Sequence, residues 1–306
     1  LRRVLDDLGV GFPDHPVRAI AELLARRAQI RLRGFDFRER PEASVSDETR
    51  FRIDVCWSIA IGLAMIDPVR GGVLQARHLL MALDAGDLAR VARAVAVEVP
   101  FSAMSGHANA ERTEALMREG RALAERAGDP YVRGLLASSS GGARWLAGRW
   151  TEALELEEQA LAILRGECVG AAWEIASSTI VLLDVLWRLG RWPELFLRWS
   201  DVLADAVRRG DLLLEIYCRV KFGPLAHLAD DRPEDGIREA SAALARWSPT
   251  SFTLLHLWEL FSTTYAQLYA ERPEAAYARL ATTRSTARGS GLLRLSMYDV
   301  TWQHLE

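Results

Sequence analysis

A chain of 306 residues, half of them apolar, has the material for a large buried core, either as one extended array or as two compact domains, and is not a disordered polymer. Its net charge of −3, with acids and bases interspersed, supplies no broad basic field, so neither nucleic acid nor an anionic membrane is an expected partner. Lys221 is the only lysine and follows no glycine loop, which excludes a P-loop and a protein-kinase phosphate site from this chain.

Apolar residues recur at helical spacing almost throughout, and the alternation of half-buried strands is hard to find, so an all-α fold is expected. In chain order, 14–32 gives an amphipathic helix with Arg18, Arg26, Arg27 and Arg31, followed by Arg33. Its mixed charge and lack of bulky interfacial aromatics suit docking on a neighbouring domain better than on a membrane. "RGFDFRERPEASVSDETR" is then a polar connector ending in the N-cap candidates Ser46 and Asp47. A helix over 49–67 pairs with one over 72–84. The apolar run Val55 to Ile66 inside the first would span about 18 Å, against roughly 30 Å of hydrocarbon, so it describes a buried helix and the protein reads as soluble and cytoplasmic. Further pairs follow: 87–105 with 110–127, 130–147 with 150–166, 171–189 with 193–209, 211–229 with 233–246, and 252–270 with 273–287. A last helix from 291 looks cut off. Three regions result: 1–45 as N-terminal helix and connector, 46–290 as the repeat array, and 291–306 as the truncated helix. The chain starts at Leu1 without a signal-peptide pattern and is expected to be a piece of something longer.

Two interleaved sets of breaks repeat. Gly86-Asp87, Gly128-Asp129 and Gly210-Asp211 combine a helix C-terminal glycine with the next N-cap. Between them stand Gly148-Arg-Trp-Thr-Glu, Gly190-Arg-Trp-Pro-Glu, Asp231-Arg-Pro-Glu and Glu271-Arg-Pro-Glu, which place Glu152, Glu194, Glu234 and Glu274 about forty residues apart. Such a period means stacked helical hairpins, about six of them, wound as a right-handed α-solenoid. In each turn glycine permits the left-handed residue, proline or threonine suits the first helical turn, and glutamate meets the positive end of the dipole. Trp150 and Trp192 are expected to wedge between the helices of their hairpins. In the helix after Gly148, Ala153, Leu156, Ala160 and Ile163 form the apolar stripe, and Glu155, Glu157 and Glu158 fall on the wet side.

Gly134 to Gly166 resembles a tetratricopeptide repeat: Gly141 matches that family's small first-helix position, Gly148-Arg149-Trp150 its turn, and Ala153 and Ala160 its second-helix alanines. "RLRGFDFRER" (31–40), "RIDVCWSIAIGLAMIDPVRG" (52–71) and "QARHLLMALDAG" (75–86) are similar to the C-terminal region of large bacterial serine/threonine protein kinases. In that family a kinase domain and an AAA- or STAND-type ATPase module precede a helical-repeat tail. The resemblance implies that this chain is the tail, with no kinase or ATPase residue carried over.

No motif for chemistry emerges. Cys56, Cys168 and Cys218 are far apart and read as reduced thiols. The histidines form no His-Glu-x-x-His or zinc-spaced cluster; His78 reads as a hydrogen-bonded core residue, and His227 adjoins a turn where Asp230 and Asp231 are ordinary. "SSSGG" (138–142) lacks the context of a nucleophile elbow and reads as small residues that admit a close neighbour. Trp145, Trp150, Trp187, Trp192 and Trp199 read as packing residues. The expectation is a non-enzymatic scaffold without metal or cofactor, binding a peptide, protein or effector in a concave groove lined by first helices. Its groove candidates are Arg133, Arg144, Trp173, Glu174, Tyr217, Arg219 and Trp258. The alternative is a helical-repeat hydrolase or metal-dependent enzyme with an inter-repeat pocket, using His227, Asp231 or His256.

Overall fold

The computed structural model describes residues 5, 9–63, 67–104, 106–247, 252–294 and 296–305. Among them every regular element is helical, and the chain divides into two compact units, Leu1–Ser178 and Thr179–Glu306. The fold is all-α, as the periodicity required.

In the first unit α1 (Pro16–Arg33) precedes the connector, and α2 (Asp47–Leu63) pairs with α3 (Pro68–Ala85). Residues 64–66 of the expected helix 49–67 lie outside the described residues, and its expected last residue, Asp67, is the N-cap of α3. Next come the hairpins α4 (Leu88–Ala103) with α5 (Ala110–Ala127) and α6 (Pro130–Leu146) with α7 (Trp150–Glu167). The first helices α4 and α6 pack on one another, and the second helices α3 and α5 also meet the first helices that follow them, α4 and α6. Starts are set by side chains: the Asp67, Asp87 and Asp129 carboxylates accept from the amides of Arg70, Arg90 and Tyr131. The core runs through Ile53, Leu79, Val95, Leu123 and Val132.

Helix α8 (Ala172–Arg188) crosses from the first unit into the second. The second unit continues with α9 (Trp192–Arg209), α10 (Leu212–Tyr217), α11 (Gly223–Ala229), α12 (Pro233–Ala245), α13 (Leu254–Tyr269), α14 (Pro273–Gly289) and α15 (Ser296–Leu305). Here α11 pairs with α12, α13 with α14, and first helix again lies on first helix, α11 on α13.

The repeated turns share one closure. After Gly148 and Gly190, with φ of 74° and 69°, the amides of Arg149 and Arg191 reach back to the carbonyls of Arg144 and Leu186 at 2.9 and 3.0 Å. Arg232 and Arg272 do the same to His227 and Gln267, at 2.8 and 2.9 Å, although the left-handed residues there are Asp231 and Glu271, with φ of 55° and 58°. Trp192 departs from the expected wedge: it begins α9 40% exposed and packs beside Phe196, 6.1 Å between rings, on its own helix.

Two further expectations are corrected. The single helix over 211–229 is broken by a π-helical turn, Cys218–Phe222, between α10 and α11. Pro224 has no amide to give Val220, so the Ser262 hydroxyl serves the Val220 carbonyl instead, and the Trp199 indole N–H donates to the Cys218 carbonyl at 3.0 Å. On α7, Glu157 is fully buried and not on the wet face; the buried stripe is Ala153, Glu157, Ala160 and Leu164. Its carboxyl lies against Gly141, where an added Cβ would come 2.5 Å from Oε1. The small residues of "SSSGG" thus admit α7 as expected.

Candidate functional site

Among the polar clusters of the described residues, two involve first helices that carry groove candidates, one in each unit. In the first, the N-cap Asp129 and Pro130 start α6 so that Tyr131 and Arg133 stand at its beginning. The Tyr131 hydroxyl donates to Glu174 Oε1 at 2.6 Å, with Glu174 buried at the start of α8. Burial, and then the neighbouring Glu174 carboxylate, push the Tyr131 phenol well above its usual range, so it stays a neutral donor. Arg133 is exposed and pairs with Glu167 at 2.7 Å. Cys168 sits in the field of this cluster: burial, then Asp129 and Glu167, raise its thiol above the ordinary value, which makes it a poor nucleophile. Trp173 is half-buried beside it in sequence.

Glu157 on α7 is also buried in the first unit, with neither carboxylate oxygen hydrogen-bonded. Burial raises its carboxyl well above the usual range, and Ser178 opposes this only in part, its hydroxyl donating to Ser138 at 2.7 Å. The group is a buried neutral acid.

In the second unit the π turn directs Lys221 inward. Its ammonium pairs with Asp184 and lies 3.7 Å from the centroid of the Trp258 ring, with Phe222 and Tyr217 rings at 5.4 and 5.5 Å. Asp184 also accepts from Arg188 Nε at 3.0 Å. Burial alone would raise the Asp184 carboxyl, but Lys221 and Arg188 together carry it below its ordinary value, while burial lowers the Lys221 ammonium against the pull of Asp184. On the same turn Arg219 pairs with Glu215 at 3.0 Å and with Glu239, which also meets His227 Nε2 at 2.9 Å. A cation enclosed by carboxylate and aromatic faces is locked in place and is not poised to attack a substrate.

The structure does not bring the seven groove candidates together on one face. Arg133 is exposed, Trp173 and Arg219 are intermediate, and Glu174, Tyr217 and Trp258 are buried. Arg144 is mostly covered and held by Glu114 and Glu152, the latter at 3.2 Å. The enzyme alternative's residues do not converge: His227 faces Glu239, Asp231 accepts from the Tyr269 hydroxyl at 3.0 Å, and His256 closes the capping box of α13 with Thr253. No group of His, Cys, Asp and Glu among the described residues could hold a metal. Lys221 was legible only as the lone lysine, flanked by Tyr217 and Phe222 in an apolar helical stretch; the residue that gives it a site, Asp184, is 37 positions away.

No protein-family model matches the sequence, and no curated protein does. Among solved structures the chain is similar to the crystal structure of BtubC (BKLC) from P. vanneervenii, at 16% identity and a TM-score of 0.48, over 80% of this chain and 92% of that one. Among the described residues no helix is long and apolar enough to cross a membrane.

Proposed function

We propose that the chain is a non-enzymatic interaction scaffold, the regulatory tail of a multidomain kinase/ATPase, which holds a peptide, protein surface or small effector on a face made by first helices. The observation that carries this reading is first helix lying on first helix within each unit, α4 on α6 and α11 on α13. In repeat proteins that stacking lines up a row of side chains that the core does not constrain. Arg133 on α6 and Trp173 on α8 keep accessible surface and are the probes of that face. Arg144 and Arg219 are poorer probes, because their ion pairs with Glu114 and Glu152 or with Glu215 and Glu239 are partly buried, whereas the Arg133–Glu167 pair is exposed and worth little.

The test is crosslinking mass spectrometry on the chain with its upstream kinase and ATPase domains and a lysate. A partner captured by the native chain and lost from the Arg133→Glu, Trp173→Ala double variant, with helicity and melting temperature unchanged, supports the scaffold. Partners retained by that variant remove these two residues from the binding face, and crosslinks confined to the chain itself count against the tail role.

A further inference from the structure

The connector that the sequence marks as polar builds a pocket of about 470 Å³ in the first unit. Arg40, Ser44, Val45 and Ser46 come from the connector, Thr49 and Arg52 from α2, and Met81, Asp84 and Ala85 from α3. The connector is fastened here by the Arg40 amide, which donates to the Gly86 carbonyl at 2.9 Å. We propose that this pocket binds a phosphomonoester dianion carried on a small organic group.

The charge arrangement is the argument. Three carboxylates at or beside the pocket are taken by other arginines: Glu42 and Asp47 by Arg50, the former at 2.9 Å, and Asp84 by Arg33 at 3.1 Å. Asp54, further along α2, is held by Arg90 and Arg93. Arg40 and Arg52 are left without an ion pair among the described residues, and the Arg52 Nε is buried without a hydrogen-bond partner. Two guanidinium groups that no described carboxylate neutralises line one cavity, so the described residues leave its positive charge uncompensated. Guanidinium forks suit phosphate, which brings two charges and several acceptor oxygens at once. The hydroxyls of Ser46 and Thr49, 2.9 Å apart and bonded to each other at the amino end of α2, leave one donor beside the positive end of its dipole. Inorganic phosphate would leave most of the volume empty, and Val45, Met81 and Ala85 give the remainder an apolar wall, so the ligand carries a carbon skeleton.

Isothermal titration calorimetry on the whole chain tests this with three probes: inorganic phosphate, adenosine monophosphate and a short phosphotyrosyl peptide. The expected result is saturable binding of at least one organic probe, tighter than inorganic phosphate and weakened by about tenfold or more in both Arg52→Gln and Arg40→Gln. The two organic probes tell a free metabolite from a phosphorylated side chain. Binding should also strengthen from pH 5.5 to pH 7.5, as the phosphate loses its second proton near pH 6 while the arginines stay charged. Arg40 is exposed, so its variant keeps the test open if Arg52→Gln fails to fold. The proposal is overturned if no phosphate-bearing probe binds at millimolar concentration, if dephosphorylated adenosine or tyrosyl peptide binds as well, or if a folded Arg40→Gln binds like the native chain.

Discussion

At the scale of single residues, Lys221 and Glu157 are both buried ionisable groups, and their neighbours decide opposite outcomes. An isolated ammonium in an interior costs several kcal/mol, and Lys221 is tolerated because Asp184 and the Trp258 face meet it together. Replacing Lys221 by Met should therefore destabilise the second unit by about 3 kcal/mol, since Asp184 keeps only part of its compensation from Arg188. Adding Asp184→Leu should recover much of that loss, and a double-mutant cycle in urea measures both effects. Glu157 has no such partner. Its folded-state pKa is raised, so the folded form holds a proton that the unfolded chain releases near the ordinary value of 4.5. The stability it lends is complete below that value and is lost as pH rises toward the raised one. Glu157→Gln should thus melt higher than the native chain at pH 8 and close to it at pH 4, as followed by circular dichroism.

Among elements, the hairpin turn is the recurrent device, and it was readable because its chemistry is local. Gly148 and Gly190 spell the left-handed closure directly, and the arginine that follows each left-handed residue supplies the amide that completes it in all four turns. The two turns without glycine test the energetics. Glu271 adopts φ of 58° at an exposed position, so Glu271→Gly should raise stability by roughly 1 kcal/mol by relieving the Cβ clash of that conformation. Gly148→Ala should lower it by a similar amount; thermal unfolding of both variants reads the difference. Asp231 is a less clean site for the same change, because its carboxylate accepts from Tyr269. The π turn was not readable in this way. Pro224 announces a missing hydrogen bond, but the Ser262 hydroxyl that replaces it, and the Trp199 indole that serves the neighbouring Cys218 carbonyl, come from helices that only the folded chain brings near.

Across the whole molecule, what the sequence carried well was everything set within a few residues: helix ends, the period of about forty, and the small-residue seam that admits α7. Side chains whose role depends on a distant partner escaped it. Glu157 lies on the surface by helical spacing until Gly141 draws it inward, and Tyr217 and Trp258 looked like free first-helix residues until Lys221 gathered them. The division into two units adds a consequence for acid stability. His78, buried in the first, has Nδ1 next to Gln75 at 3.2 Å and Nε2 without a partner. Burial pulls its pKa from 6.5 to about 3, so between these values the unfolded chain binds a proton that the folded one refuses. Stability of that unit must then fall as pH drops through this window, by up to about 1.4 kcal/mol per pH unit. Native-state hydrogen exchange at pH 7 and pH 5 should show α3 and α4 losing protection at the lower pH, after correction for the intrinsic rates. In His78→Gln, which has no proton to gain, the His78 share of that loss should vanish. An unchanged loss in the variant would assign the acid sensitivity to other groups.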